Sequence, residues 1–240
     1  MGNEHGEWIM HGVGEDDSCR LRSAEDLTRY VDQVGFLPLF KNGISGFSVE
    51  ERTLSRDWWS EDPAADPWLW RQIIAAGGQV AYGKFFDRKA GFISMRWLPY
   101  FANMRRDGYD FDALWEDGKA HHRAKKIMDL FADGEELFSW QVRQRAGFGG
   151  DGERNFEGTV TQLQMQTYLV IRDFHCRVNR RGESYGWPIA VYATPESRWG
   201  YDAVTAAYGE SPEASRDRIR RHMLELWPGT DERQLRRMLG

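Results

Sequence analysis

Between Glu135 and Trp187 the apolar positions change period, and each change marks an element. Leu137-Phe138-Ser139-Trp140-Gln141-Val142-Arg143 reads as a short helix turning at Gly147-Phe148-Gly149-Gly150. A second helix is expected from near Asp151, because Phe156, Val160, Leu163 and Thr167 recur at spacings of four, three and four. That is the apolar stripe of an amphipathic helix. At Tyr168-Leu169-Val170-Ile171 aromatic and β-branched residues crowd together, which favours a strand. Arg177, Arg180, Arg181 and Gly182 form a polar turn, and Trp187-Pro188-Ile189-Ala190-Val191-Tyr192 returns as the partner strand. Helix, turn, helix and hairpin in this order predict a winged helix, a module that most often binds DNA and also serves in protein docking.

The flanking sequence reads as mostly helical. Ser23 to Val34 is an amphipathic helix with Ser23 as cap and Leu27, Tyr30, Val31 and Val34 on one face. Phe36 to Phe40 follows as an extended segment, since Pro38 disfavours helix at Leu37. Ser48 to Leu54 predicts one or two helical turns capped by Ser48. Asp66-Pro67 opens a helix carrying Trp68, Leu69, Ile73 and Ile74 and stopping at Gly77-Gly78. Val80 to Phe86 and Gly91 to Ser94 are either a hairpin or a loop. Trp97 to Arg106 and Ala113 to Phe131 read as helices, the second with Leu114, Ile127, Leu130 and Phe131 inward. Ser211 to Trp227 and Asp231 to Leu239 read as two more, parted by Pro228-Gly229. No internal repeat stands out.

Charge changes the picture. The 240 residues carry a net charge of -5, which argues against indiscriminate polyanion binding. Residues 1–80 hold net -7, residues 81–195 net +2, and residues 196–240 balance. The one positive block therefore contains the predicted winged helix. The high aromatic content, with 11 Trp, predicts aromatic-rich cores and pockets. Two distant cysteines, Cys19 and Cys176, fit a reducing cytoplasm rather than a disulfide framework. No run approaches the ~18 apolar residues of a membrane span, so no membrane partner is expected. The polar, acidic start lacks the regions of a signal peptide and predicts a flexible N-terminus.

The chemical candidates are few. His121-His122 are adjacent, whereas two ligands on one helix prefer a spacing of three or four, and His175-Cys176 would face opposite sides of a strand. No metal site and no cofactor are expected. The glycine-dense loop Gly147 to Gly152 lacks the lysine of a phosphate-binding loop. The acids Glu50, Glu51, Asp57, Glu61, Asp62 and Asp66 cluster near tryptophans, where a carboxylate can act as acid or base; a solvated acidic loop is the simpler reading. Gln162 and Gln166 share a helix face and suit adenine readout in a major groove, or merely polar helix surface. Arg177, Arg180 and Arg181 are the candidate phosphate contacts. Arg154 accompanies the helix, although Glu153 and Glu157 beside it disfavour phosphate.

Gln162-Leu163-Gln164-Met165-Gln166-Thr167 running into Tyr168-Leu169-Val170, then a basic turn and Tyr185-Gly186-Trp187, resembles the last winged helix of the AlkZ/YcaQ DNA glycosylases. The helix ending in Val34-Gly35-Phe36-Leu37 resembles the start of that family, and the match is closest to its AlkZ-related group. The resemblance spans about residues 23–200 and implies a bacterial protein with tandem winged helices and double-stranded DNA as partner. The family's catalytic motif, Q-x-Q or Q-x-D, falls here on Pro38-Leu39-Phe40. Neither Pro38 nor Phe40 can position a water or accept a proton, so no catalytic residue is assigned.

The sequence thus predicts a mainly α protein with small β-hairpins (α+β) and winged-helix-like subdomains. Its expected parts are a flexible 1–22, a helical or winged-helix-like 23–110, a winged helix over 111–200 and C-terminal helices over 201–240. Its leading reading is a DNA-binding protein that senses damaged duplex or regulates. The rivals are an active glycosylase with a relocated group near Asp57 or Asp66, served by Trp58, Trp59 and Trp68, and a protein- or ligand-binding module.

Overall fold

The computed structural model describes residues 10–179 and 181–240. Helix α1 (Ala24–Val34) starts where Ser23 Oγ accepts the Asp26 N–H at 3.1 Å, and buries Leu27, Val31 and Val34. It stops at Gly35, whose φ of +88° suits glycine; a Cβ there would also lie 2.5 Å from the Trp97 ring. Strand β1 (Phe36–Pro38) follows, then short 3-10 turns at Glu50–Arg52 and Ser55–Asp57. The N-cap of the first is Val49, not Ser48 as expected; Ser48, one residue before it, accepts the Glu51 N–H through Oγ at 3.2 Å.

Helix α2 (Pro67–Gly77) is capped by Asp66, whose Oδ1 accepts the Trp68 N–H at 2.8 Å. Its inward face is Trp70, Ile74 and Ala75, while Ile73 is 54% exposed. The stretch that reads as hairpin or loop is a hairpin, β2 (Val80–Phe86) and β3 (Lys89–Ser94). Asp87 and Arg88 turn it with φ of +49° and +63°. β3 lies between β1 and β2 in an antiparallel three-stranded sheet. Helix α3 (Leu98–Arg106) then crosses the core.

The long helix expected over 113–131 is broken. It becomes α4 (Phe111–Glu116), α5 (His122–Met128) and a 3-10 turn at Asp129–Phe131. Gly118 sits at φ +70° and His121 is extended, so two backbone choices outweigh a good apolar period. Strand β4 (Leu137–Phe138), α6 (Ser139–Arg145), α7 (Phe156–Met165), β5 (Val170–Val178) and β6 (Ser184–Ala193) follow. α7 begins five residues later than Asp151. Gly147, Gly149, Gly150 and Asn155 all hold positive φ, which keeps this stretch out of helix. The stripe Phe156, Val160, Leu163 and Thr167 is buried as expected. β6 lies between β4 and β5 in a second antiparallel sheet. Short helices α8 (Pro195–Trp199) and α9 (Tyr201–Val204) lead to α10 (Pro212–Leu226) and α11 (Glu232–Leu239).

The protein is α+β, and its two halves run in a similar order. The first runs helix, short strand, helix, then a two-stranded hairpin; the second runs helix, short strand, two helices, then a two-stranded hairpin. In each sheet the first and third strands pair. The halves share one contiguous core. Phe36 meets Phe47, Trp97 and Phe101 edge-on at 5.0–6.0 Å, and His222 of α10 stacks on Trp97 at 4.2 Å. Burying an aromatic side chain this fully stabilises by roughly 1.5–3 kcal/mol. Residues 10–22 hold no helix or strand and are mostly exposed, but Met10 and Leu21 touch this core. Leu21 is buried, and the Val13 N–H bonds Thr53 O at 3.0 Å. No helix among the described residues is long and apolar enough to cross a membrane.

Candidate nucleic-acid interface

The outer side of α7 is the floor of a groove rather than a projecting ridge. Its inner side packs on β2 of the first half, where Gln164, fully buried, accepts the Lys84 N–H through Oε1 at 2.9 Å. Of the three glutamines, Gln164 is therefore a tie between the halves. Gln162 is exposed and Gln166 half-buried, and both line the groove.

One end of the groove, about 410 Å³, lies between α7, the 119–124 segment and Arg88 at the β2–β3 turn. The Arg88 N–H reaches Met165 Sδ at 3.3 Å, seating that turn against α7. The other end, about 220 Å³, is bounded by Arg105, Arg216 and the end of α11. Arg88, Lys119, Arg123, Arg105 and Arg216 line the two ends, and among the described residues no Asp or Glu side chain does. In a chain of net charge -5 this gathers cations along α7, two of them paired just outside the groove, Lys119 with Asp117 at 3.6 Å and Arg123 with Glu153 at 3.0 Å.

Two details hold the charges in place. Arg105 donates to Phe85 O at 2.7 Å and Leu239 O at 3.2 Å, at the C-terminus of α11 where positive charge is favoured. Burial, with Arg216 adding to it, pulls the Arg105 guanidinium down to about 9, so it stays charged at neutral pH. Glu153, an acid that by sequence disfavours phosphate contact, is already bound. Lys126 Nζ, Arg123 Nε and His122 Nε2 meet its carboxylate at 2.9–3.0 Å. Hydrogen bonds from Lys126 and then Arg123 hold its pKa at about 2. A depressed carboxylate stabilises the fold above its ordinary pKa of about 4.3, and that contribution is lost as pH falls towards 2. Amide protection factors in α5, which remove the intrinsic slowing of exchange towards low pH, are expected to fall over that window in the wild type. In Glu153→Gln they should be lower already at pH 6. Equal exchange in the two proteins at pH 6 would mean that the clamp holds nothing.

The β5–β6 hairpin carries the other predicted contacts. Arg177 and Arg181 are exposed; Arg180 lies outside the described residues. Asn179 Oδ1 accepts the Arg181 and Glu183 N–H groups at 2.8 and 3.0 Å and fixes the turn. Arg154 is exposed on the loop before α7, not on the helix. The structure thus gathers Gln162 and Gln166 in the groove and sets Arg177 and Arg181 on the hairpin. The sequence does not reveal Arg88, Lys119, Arg123, Arg105 and Arg216 as a group, because they come from four separate segments.

A separate cavity of about 380 Å³ opens beside β1. Pro38 and Phe40 line it, with Ile44, Phe86, Met238 and Glu50. Glu50 belongs to the run that reads as a solvated acidic loop, yet it is 2% exposed. Its two oxygens accept the His11 and Lys41 N–H groups at 2.8 Å each. Asp57 and Asp66 are committed elsewhere, Asp57 to Arg20 at 3.4 Å and Asp66 to the cap of α2. Trp58, Trp59 and Trp68 form one aromatic cluster with Phe40, in which Trp58 is buried and Trp59 half exposed. His121 is the cap of α5, its Nδ1 accepting the Arg123 N–H at 3.2 Å. Among the described residues no three His, Cys, Asp or Glu side chains converge as a metal set.

A family model described as AlkZ related matches residues 21–240. Neither the curated proteins nor the solved structures contain a match to this chain.

Proposed function

The chain belongs to the AlkZ-related family, and on that premise we propose that it binds duplex DNA through tandem winged helices. The similar element order supports reading 23–110 and 111–200 as the two units, with α7 as the recognition helix and the β5–β6 hairpin as the wing. Of residues 201–240, α10 packs on α3 and α11 on β2 of the first unit. The observation that carries the proposal is the groove along α7. It is lined by five basic side chains and no described carboxylate, in a chain that is acidic overall. Such a surface attracts a polyphosphate backbone while the remainder repels it.

In this reading Arg88, Lys119, Arg123 and Arg216, with Arg177 and Arg181 on the wing, contact phosphates. Gln162 and Gln166 face the base edges or the sugars. Fluorescence anisotropy of a labelled duplex at about 50 and about 200 mM salt tests it. Binding that weakens steeply between the two is expected; no binding at the lower salt ends the proposal.

A second reading, base excision, is favoured by the cavity at Pro38 and Phe40. It holds one buried carboxylate, Glu50, among apolar Pro38, Phe40, Ile44 and Phe86, with Lys41, Asp87, Lys89 and Arg237 also in its lining. Glu50 would take the proton of a water that attacks the deoxyribose carbon as the base leaves. Incubation with alkylated duplexes, then alkaline cleavage of abasic sites, measures this. Cleavage that drops at least about a hundredfold in Glu50→Gln supports the reading. An uncleaved panel of lesions removes it.

A further inference from the structure

Trp187 is the most anomalous residue on the surface: its indole is 85% exposed. With Val178 at 60% and Tyr185 at 50% exposure on the same hairpin it makes an exposed apolar patch, the kind that marks an interaction site. The backbone around it explains how it is presented. His175 pairs with Ile189 and Arg177 pairs with Tyr185. One residue, Cys176, therefore lies opposite three, Gly186, Trp187 and Pro188. This is a bulge, and bulges re-aim side chains at functional edges. Gly186 supplies φ of +76°, and Pro188 has no N–H to give the ladder. Trp187 stands at the apex.

The surroundings narrow the occupant. Arg177 lies directly across from Tyr185, which is 50% exposed, so cation and aromatic share one face of the hairpin. Arg181 is exposed at the turn beyond. Aromatic rings interleaved with arginines suit nucleic acid, in which flat bases alternate with phosphates. A regular duplex keeps its bases stacked and offers the indole nothing. A site that has lost a base, or that kinks easily, offers an open π-face at little cost.

We propose that Trp187 stacks on a base at an unstacked step of duplex DNA, so that the hairpin selects distorted over regular duplex. This rests on the DNA-binding reading above and adds to it the feature that is recognised. Arg177 and Arg181 hold the flanking phosphates and treat both duplexes alike; the indole distinguishes them.

The test compares the full chain on two labelled duplexes, one intact and one with a single abasic-site analogue beside 2-aminopurine. Wild type is expected to bind the abasic duplex roughly tenfold more tightly, the worth of about one stacked base, and to quench the 2-aminopurine. In Trp187→Ala the affinity ratio should fall to near one and the quenching should vanish. Trp187→Phe should keep part of both. In Arg177→Ala with Arg181→Ala both affinities should fall together and the ratio should persist. A wild-type ratio near one, or a ratio unmoved in Trp187→Ala, overturns the stacking while leaving duplex binding in place. Failure to bind either duplex at low salt overturns both. Binding instead to phosphatidylserine vesicles, abolished in Trp187→Ala, would assign the hairpin to a membrane surface and overturn the proposal.

Discussion

Arg106→Ala is expected to destabilise the protein by about 3–5 kcal/mol, the cost of removing one partner from a buried ion pair. The guanidinium is 1% exposed at its side chain and bonds several groups at once. Its Nη1 meets Glu196 Oε1 and Tyr208 Oη, and its Nη2 donates to Thr167 O at 2.7 Å. Its Nε donates to Thr167 Oγ1 at 3.2 Å, and its plane lies over the Tyr168 ring at 4.6 Å. These partners sit on α8, on the segment after α9 and on the link between α7 and β5. One side chain on α3 therefore ties the first half to the second and to the segment between α9 and α10. Thr167 holds φ of +62°, unusual for a β-branched residue, and the two Arg106 bonds help hold it there. Alanine would leave the Thr167 carbonyl and the Glu196 carboxylate unpaired and open a void. For a chain of this size the loss corresponds to a midpoint lower by about 10 °C or more. Arg106→Lys keeps the charge but not the planar fork, and should recover less than half of the loss. Urea unfolding of the three proteins measures it. A loss below about 1 kcal/mol for the alanine variant would show that the tie is dispensable.

Removing three cations of the groove, Arg88→Ala, Lys119→Ala and Arg216→Ala together, is expected to weaken duplex binding about a hundredfold at low salt. The slope of log affinity against log salt should shrink by about three, one for each phosphate no longer neutralised. The three lie at both ends of the groove and do not contribute to the core, so the fold should persist. The weakening should be uniform across duplex sequences, because phosphates carry no sequence information. Gln162→Ala should behave differently, changing the preference among duplexes with little effect on the slope. Anisotropy titrations at about 50, 100 and 200 mM salt separate the two. A triple variant with the wild-type slope would show that DNA, if bound, does not run along α7.

Particular residues escape a sequence reading for identifiable reasons. Glu50 belongs to an acidic run, and only the fold shows that the His11 and Lys41 N–H groups replace its water. Gln164 is indistinguishable from Gln162 and Gln166 in composition. It is buried because β2, about eighty residues away in sequence, offers the Lys84 N–H. The helix expected over 113–131 has a good apolar period, but Gly118 and His121 adopt conformations that end it.

The local elements were legible from sequence alone. Caps at Ser23 and Asp66, the proline at the start of α2 and the stripe from Phe156 to Thr167 act over a few residues, and the structure follows them. The family was legible too, because its motifs are contiguous. What only the tertiary structure decided was which charges meet. Arg88, Lys119, Arg123, Arg105 and Arg216 come from separate elements and form one groove only when α7 is seated on β2. Likewise the outward set of Trp187 depends on a strand register that a single strand does not encode. Local propensity acts between neighbours in the chain, whereas a binding surface is a sum over neighbours in space.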